Sequence, residues 1–333
     1  MRVAINGMGR IGRLLFRRLS ENPTIEIVAV NDLISIENLA YLVRYDSVYG
    51  TFSSPIKTGN NSLYVLDREI SVLQTANPLE LPWQELDVDV VLECTGHFLN
   101  KEKASMHLKA GAKKVLLSTT GADDIPLMVY GFNQKDSLDE MDILSPGGCM
   151  TNCSVHILYL LNAIGIKSVH VNILHSYTSR QSLVDMPHDQ FRRGRAAAES
   201  IIPVAIDLNK SLNRLLPSLN NKINVYSTRV PVANGAMASF TIQLKSDTTT
   251  GQINKLFENA SQNQYKDILE YTEEPLVSLD IKGNTHSCII DATQTAAIDN
   301  HVRVVAWFDN EYGFTSRMID WLNYWNVQMK NRK

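Results

Sequence analysis

Residues 3–19 read Val3-Ala4-Ile5-Asn6-Gly7-Met8-Gly9-Arg10-Ile11-Gly12-Arg13-Leu14-Leu15-Phe16-Arg17-Arg18-Leu19. A short apolar run, a G-x-G-x-x-G triplet and apolar residues at helical spacing make a strand, a tight turn and a helix. A plain glycine-rich turn would end the signal there. Here the next apolar run, Ile25 to Val30, closes on Asn31 and Asp32, twenty residues after Gly12. A carboxylate at that place accepts hydrogen bonds from an adenosine ribose. Glycine at Gly7 and Gly9 lets the backbone turn sharply and approach a pyrophosphate, while Arg10, Ile11 and Gly12 open a helix whose free N–H groups face an anion. Asp32 would repel a 2′-phosphate, so the expected cofactor is NAD rather than NADP.

Working outward, Val88 to Gly96 and Lys113 to Ser118 are strand-like and bracket a helical stretch, Lys101 to Ala110. Strands separated by helices pair in parallel with right-handed crossovers, so the first half should be an α/β doubly wound sheet. After Cys149 the pattern changes. Thr151 to Ala163 is helical, whereas Val225 to Val232, Ala238 to Lys245, Pro275 to Ile281 and Val302 to Asn310 read as strands without regular intervening helices. That predicts an α+β domain with an antiparallel or mixed sheet. Ser316 to Gln328 is amphipathic again. The expected organisation is residues 1–148 plus a returning segment 312–333 as the dinucleotide-binding domain, and 149–311 as the catalytic domain.

The chain has 333 residues, 32 Lys+Arg against 35 Asp+Glu, and 44% hydrophobic residues. The length accommodates two domains, and the near-neutral balance supplies no basic stripe for nucleic acid or anionic membranes. Any bound anion needs a local site. Cys94, Cys149, Cys153 and Cys288 are too few for a disulfide framework and read as reduced thiols of a cytoplasmic protein. No signal peptide, membrane-length apolar run or zinc-like Cys/His spacing is visible, so no metal is expected.

Cys149 follows Ser145-Pro146-Gly147-Gly148 and begins a helical stretch, where the helix dipole favours a thiolate. A free cysteine is more often a small buried apolar residue. His175, 26 residues downstream at the end of the strand Val169 to Leu174, shifts the balance, because helix and returning strand bring thiol and imidazole together as nucleophile and base. His107, His156 and His170 belong to packing elements and read as structural.

These residues resemble the glyceraldehyde-3-phosphate dehydrogenase family, including its erythrose-4-phosphate dehydrogenase relatives. The resemblance runs from Ala4–Arg13 through Tyr45–Gly50, Glu93–Gly96, Cys149–Cys153, His175–Thr178, Arg195–Pro203 and Arg229–Pro231 to Trp307–Gly313. It implies that Cys149 attacks an aldehyde with His175 assisting proton removal, and that a thioester forms as hydride passes to the nicotinamide. It further implies that Asn310 holds the nicotinamide carboxamide, that Phe98 flanks the adenine, and that Thr95, Gly96 and Ser118 line the cofactor groove. Thr178 and Arg229 match the substrate-phosphate site. A homotetramer is implied, with the polar segment Ser176 to Arg195 as an intersubunit loop and Met186-Pro187 near a neighbouring subunit's NAD ribose.

The departures are specific. Where the family reads Ser-Asn-Ala-Ser-Cys-Thr-Thr-Asn-Cys, this chain reads Ser145-Pro146-Gly147-Gly148-Cys149-Met150-Thr151-Asn152-Cys153, and a third family hydroxyl falls at Ile206. These three positions normally hold the attacking phosphate, and none here can donate a hydrogen bond from its side chain. Either backbone amides and Arg195 still bind phosphate weakly, or water resolves the thioester, as in the erythrose-4-phosphate relatives. Arg180 adds a cation, where relatives carry Asp or Thr, that could grip the substrate. A reading of another class is a catalytically weakened NAD-binding regulator. Retention of Cys149, His175, Thr178, Arg229 and Asn310 argues against it.

Overall fold

A computed structural model describes residues 1–136 and 141–330, which form two compact units: Met1–Gly148 with Thr315–Lys333, and Cys149–Phe314. Residues 331–333 of the returning segment lie outside the described residues.

In the first unit, strand Arg2–Asn6 runs into helix Arg10–Ser20 and returns as strand Glu26–Asn31, paired in parallel with the first. Leu14, Leu15, Phe16 and Leu19 share the buried face of that helix, which explains the 3.6-residue periodicity seen in the sequence. The sheet extends by Val90–Glu93, Lys114–Leu117 and Ile143–Leu144 on one flank and Arg68–Leu73 on the other, all parallel, with an antiparallel edge made by Ser62–Val65 and Ile56–Thr58. Arg2–Asn6 therefore sits between Glu26–Asn31 and Val90–Glu93. There the strand order reverses, and the crevice outside the carboxyl ends is where such sheets bind ligands. Helix Lys101–Lys109, capped by the Asn100 side chain on the Lys103 amide, supplies one crossover.

The second unit carries a mixed, mostly antiparallel sheet. The long strand Ile166–Ser176 pairs in parallel with Ile223–Val230 and antiparallel with Ala236–Leu244, which in turn pairs antiparallel with His301–Phe308. Helix Cys149–Asn162 contributes Cys153, Val155, Ile157, Leu158 and Leu161 to the core with essentially no exposure.

Two expectations need correction. Pro275 to Ile281 is not a strand but a run of turns, and strands form instead at Leu269–Thr272 and Cys288–Asp291. Pro275 cannot donate to a ladder, and the Asp280 carboxylate accepts the Val277 amide at 2.8 Å, closing a local turn that leaves Val277 and Leu279 exposed. The later strands are also not free of helices, since Leu208–Leu215 and Thr250–Gln262 intervene. Among the described residues no helix is long and apolar enough to cross a membrane, and no group of His, Cys, Asp or Glu could hold a metal ion.

Candidate active site

The predicted residues fall on both units. In the first, Gly7 adopts φ +95°, and a Cβ on it would lie 2.6 Å from the Thr95 amide nitrogen. A Cβ on Gly12 would lie 2.0 Å from the Gly7 carbonyl oxygen. Both positions admit only glycine. Around Gly9, by contrast, a Cβ would meet nothing within 4 Å. Gly9 is the N-cap of helix Arg10–Ser20 and makes no side-chain cap, so the opening turn of Arg10, Ile11 and Gly12 lacks a side-chain oxygen there and adjoins open space. That is a cradle shaped for a pyrophosphate.

Asp32 accepts the Met8 amide through Oδ2 at 2.6 Å, which ties the glycine turn to the second strand, and its Oδ1 makes no hydrogen bond within the described residues. Asn31 is buried and bonded to Asn6 and to the backbone of Thr75. Arg10 pairs with Asp46 and stands over the Tyr49 ring at 5.9 Å. Thr95 donates its amide to Glu93 Oε1 at 2.7 Å, and Gly96 follows in the left-handed region at φ +74°. Phe98 meets His107 edge-on at 5.8 Å, and the Ser118 amide bonds the Glu93 carbonyl oxygen. The residues fit a dinucleotide by shape and by donor set.

In the second unit the helix Cys149–Asn162 and the strand Ile166–Ser176 bring Cys149 Sγ to 3.7 Å from His175 Nε2. His175 Nδ1 lies 2.8 Å from the Ser176 carbonyl oxygen, an acceptor only, so the ring proton resides on Nδ1. Nε2 is left as the lone-pair nitrogen facing the thiol. Burial pushes the His175 pKa down to about 3, with the Arg229 charge acting in the same direction. Burial pushes the Cys149 thiol up to about 11, opposed by Arg229 and by the amides of Met150 and Cys149 at the helix start. The resting pair at neutral pH is therefore thiol and neutral imidazole.

Arg229 is buried at 6% exposure, donates Nη1 to the Ser176 carbonyl oxygen at 3.2 Å, and keeps a buried Nε with no hydrogen-bond partner. Burial lowers its pKa to about 10; Cys149 acts to raise it, and the nearby cations Arg193 and Arg180 lower it. Thr178 Oγ1 accepts the Arg180 amide at 3.3 Å. The Gln181 amide donates to the carbonyl oxygens of Arg192, Arg193 and Arg195, which fastens residues 192–195 against the turn after Thr178. Arg229, Arg180 and Arg193 form a cationic cluster with no carboxylate ion pair among the described residues. Arg193 was not singled out from the sequence, because nothing in its polar run distinguishes it from Arg192. Arg195 is engaged elsewhere, in an exposed ion pair with Asp185 at 3.0 Å. Asn310 accepts through Oδ1 from the Gly235 amide at 2.9 Å and the Ser176 hydroxyl at 3.2 Å, a pattern that orients its amide and leaves Nδ2 to donate elsewhere.

Two family models match. The glyceraldehyde 3-phosphate dehydrogenase NAD-binding domain covers residues 1–101, and the C-terminal domain of the same family covers residues 148–310. The chain belongs to the glyceraldehyde-3-phosphate dehydrogenase family. It is 38% identical over 334 residues to glyceraldehyde-3-phosphate dehydrogenase 2 of Bacillus subtilis, covering 99% of this chain and 98% of that protein. It is 41% identical over 328 residues to the glyceraldehyde-3-phosphate dehydrogenase of Geobacillus stearothermophilus (97% and 98%), and 40% identical over 329 residues to that of Borreliella burgdorferi (96% and 98%). It is thus an NAD-dependent dehydrogenase of this family, in which the Cys149 thiol lies 3.7 Å from His175 Nε2.

Proposed function

We propose that the protein oxidises a small phosphorylated aldehyde of the glyceraldehyde-3-phosphate class through a covalent intermediate on Cys149. The observation that carries this reading is the 3.7 Å approach of the Cys149 thiol to an imidazole whose Nδ1–H is fixed on a carbonyl oxygen. As Sγ attacks the aldehyde carbon, Nε2 takes the thiol proton and passes it to the new oxyanion, which becomes the thiohemiacetal hydroxyl. The thiohemiacetal hydroxyl then returns its proton to Nε2 as the carbon loses hydride. Bound NAD supplies the hydride acceptor. The carbon is left as a thioester on Cys149.

Thr178 and Arg229, with Arg180 and Arg193 adding positive charge, hold the substrate phosphate, and the unpartnered Arg229 Nε is the donor an anion would satisfy. Gly7, Gly9, Arg10, Ile11, Gly12, Asn31, Asp32, Thr95, Gly96, Phe98 and Ser118 form the dinucleotide site of residues 1–148, with the Asp32 Oδ1 free for a ribose hydroxyl. Asn310 offers its Nδ2 to the carboxamide. Exposed Leu183, Val184, Met186 and Phe191 on the segment after Tyr177 suit burial against neighbouring copies, in keeping with a homotetramer.

A second reading concerns the acceptor. Gly148, Met150 and Ile206 carry no side-chain donor for an attacking phosphate, which favours release of the thioester to water. NADH formation from glyceraldehyde 3-phosphate and from erythrose 4-phosphate, each with and without inorganic phosphate, tests both readings. Turnover without phosphate supports hydrolysis, strict phosphate dependence overturns it, and no NADH from either sugar overturns the substrate class.

A further inference from the structure

The carboxyl ends of three neighbouring parallel strands in the first unit form one polar row. Asn6 stands opposite Asn31 on one side and Glu93 on the other. The row is buried, with Glu93 at 0%, Asn6 at 2% and Asn31 at 5% exposure, and behind it His107 and Trp83 are both at 0%. Positions inside a parallel sheet covered on both faces are ordinarily apolar. Buried polar groups persist only when bonded.

The bonds here run in a fixed order. Trp83 Nε1 is 3.0 Å from His107 Nδ1, and an indole nitrogen only donates, so Nδ1 is the acceptor and the ring proton lies on Nε2. His107 is thereby a neutral imidazole whose Nε2–H donates to Glu93 Oε2 at 3.0 Å. Asn6 Nδ2 donates to the same oxygen at 2.6 Å, and Asn6 Oδ1 accepts from Asn31 Nδ2 at 2.7 Å. Asn31 ends the chain on the backbone of Thr75, accepting its amide and donating to its carbonyl oxygen, both at 2.9 Å. The other Glu93 oxygen takes the Thr95 amide and the Thr95 hydroxyl. Four protein donors thus address one carboxylate, which has no cationic side chain bonded to it.

The chain direction leaves no member free to flip, because Trp83 fixes one end and the Thr75 backbone fixes the other. Each residue of the row also adjoins a part of the cradle. Gly7 follows Asn6, Asp32 follows Asn31, and the Thr95 turn hangs directly on Glu93, close enough to Gly7 that a single Cβ would collide.

We propose that this buried row is a positioning device for the dinucleotide cradle, with Glu93 as its hub and His107 and Trp83 as its support. It sets, from beneath, the three backbone exits that hold the cofactor. Glu93 and His107 are thereby positioning residues of the NAD site.

Glu93→Gln tests this. Either orientation of the new amide sets its NH2 against a fixed donor, the Thr95 amide on one side or Asn6 Nδ2 and His107 Nε2 on the other. NAD binding by equilibrium titration, KM for NAD against kcat, and amide exchange at Gly7 to Met8 and Thr95 to His97 in the cofactor-free protein are measured. The expected result is a rise of about 10- to 100-fold in both the NAD dissociation constant and KM. Amide exchange at the two turns should be faster, and kcat at saturating NAD should stay within about threefold. A lowered melting temperature with NAD affinity within about twofold of the parent would overturn the proposal. Should Glu93→Gln not fold, Trp83→Phe keeps an aromatic ring at this position and removes the donor that fixes the His107 tautomer. An NAD dissociation constant raised about threefold or more supports the device, and one unchanged together with unchanged turn exchange overturns it.

Discussion

Restoring the three hydroxyls at Gly148, Met150 and Ile206 should return an acceptor site for inorganic phosphate. The structure tolerates each change. Gly148 has no left-handed φ, and a Cβ there would meet only Thr120 Oγ1, at 4.0 Å. Met150 occupies the first turn of helix Cys149–Asn162 and is only half-buried, so threonine costs a few tenths of a kcal/mol in helix propensity. Ile206 is half-buried in the link between strand Ile202–Val204 and helix Leu208–Leu215. Each hydroxyl-to-phosphate bond is worth roughly 0.5–1.5 kcal/mol net. Three together correspond to about one to three orders of magnitude in affinity. The assay is the initial rate of NADH formation from glyceraldehyde 3-phosphate against phosphate concentration, for the parent chain and for Gly148→Ser/Met150→Thr/Ile206→Thr. The triple variant should show a phosphate KM at least about tenfold lower, with the phosphate-independent rate unchanged. An identical phosphate dependence in both proteins would refute the reasoning, because the lost hydroxyls would then have no bearing on the acceptor.

Arg229→Gln removes a buried cation and a charge-assisted contact, so the substrate KM should rise about 10- to 100-fold. Arg180→Ala should raise it about threefold, and unchanged KM values in steady-state kinetics would exclude this cluster as the phosphate site. Gly12→Ala should abolish NAD binding by titration, since its Cβ would fall 2.0 Å from the Gly7 carbonyl oxygen; wild-type affinity would contradict the cradle. His175 is held neutral in the fold with its pKa lowered to about 3, whereas the unfolded chain protonates it near pH 6.5. Its contribution to stability is thus complete above about pH 6.5 and is lost as pH falls toward 3, amounting to about 2 kcal/mol by pH 5. Denaturant melts of the parent and of His175→Asn should converge on acidification, and a parallel pH dependence would count against the buried neutral imidazole.

Much of the first unit was legible because its signals are local. Strand, glycine turn and helix lie within residues 2–20, and the acid that ties them, Asp32, ends the next strand. The Cys149 and His175 pairing was also legible, since one helix and one returning strand suffice to bring the two together. The second unit is less legible, for identifiable physical reasons. Pro275 to Ile281 has apolar residues at strand-like spacing, yet its hydrogen bonds are satisfied by the Asp280 turn. Helix Thr250–Gln262 is polar over much of its length, and its sequence signal is confined to the capping box of Thr249 and Gln252 at its start. His107 looked like an ordinary residue on a helix face. Its role depends on Glu93, Asn6 and Trp83, which lie far from it in sequence and meet only through strand register and a helix crossover.

The most direct test of the central claim, that Cys149 carries the oxidised substrate as a thioester, is a rapid-mixing burst experiment without phosphate, coupled to intact-mass analysis. A burst of about one NADH per chain is expected, with an acyl adduct mapped to Cys149 and both signals absent from Cys149→Ser. NADH formation at the parent rate in Cys149→Ser, with no adduct on the parent chain, would contradict it.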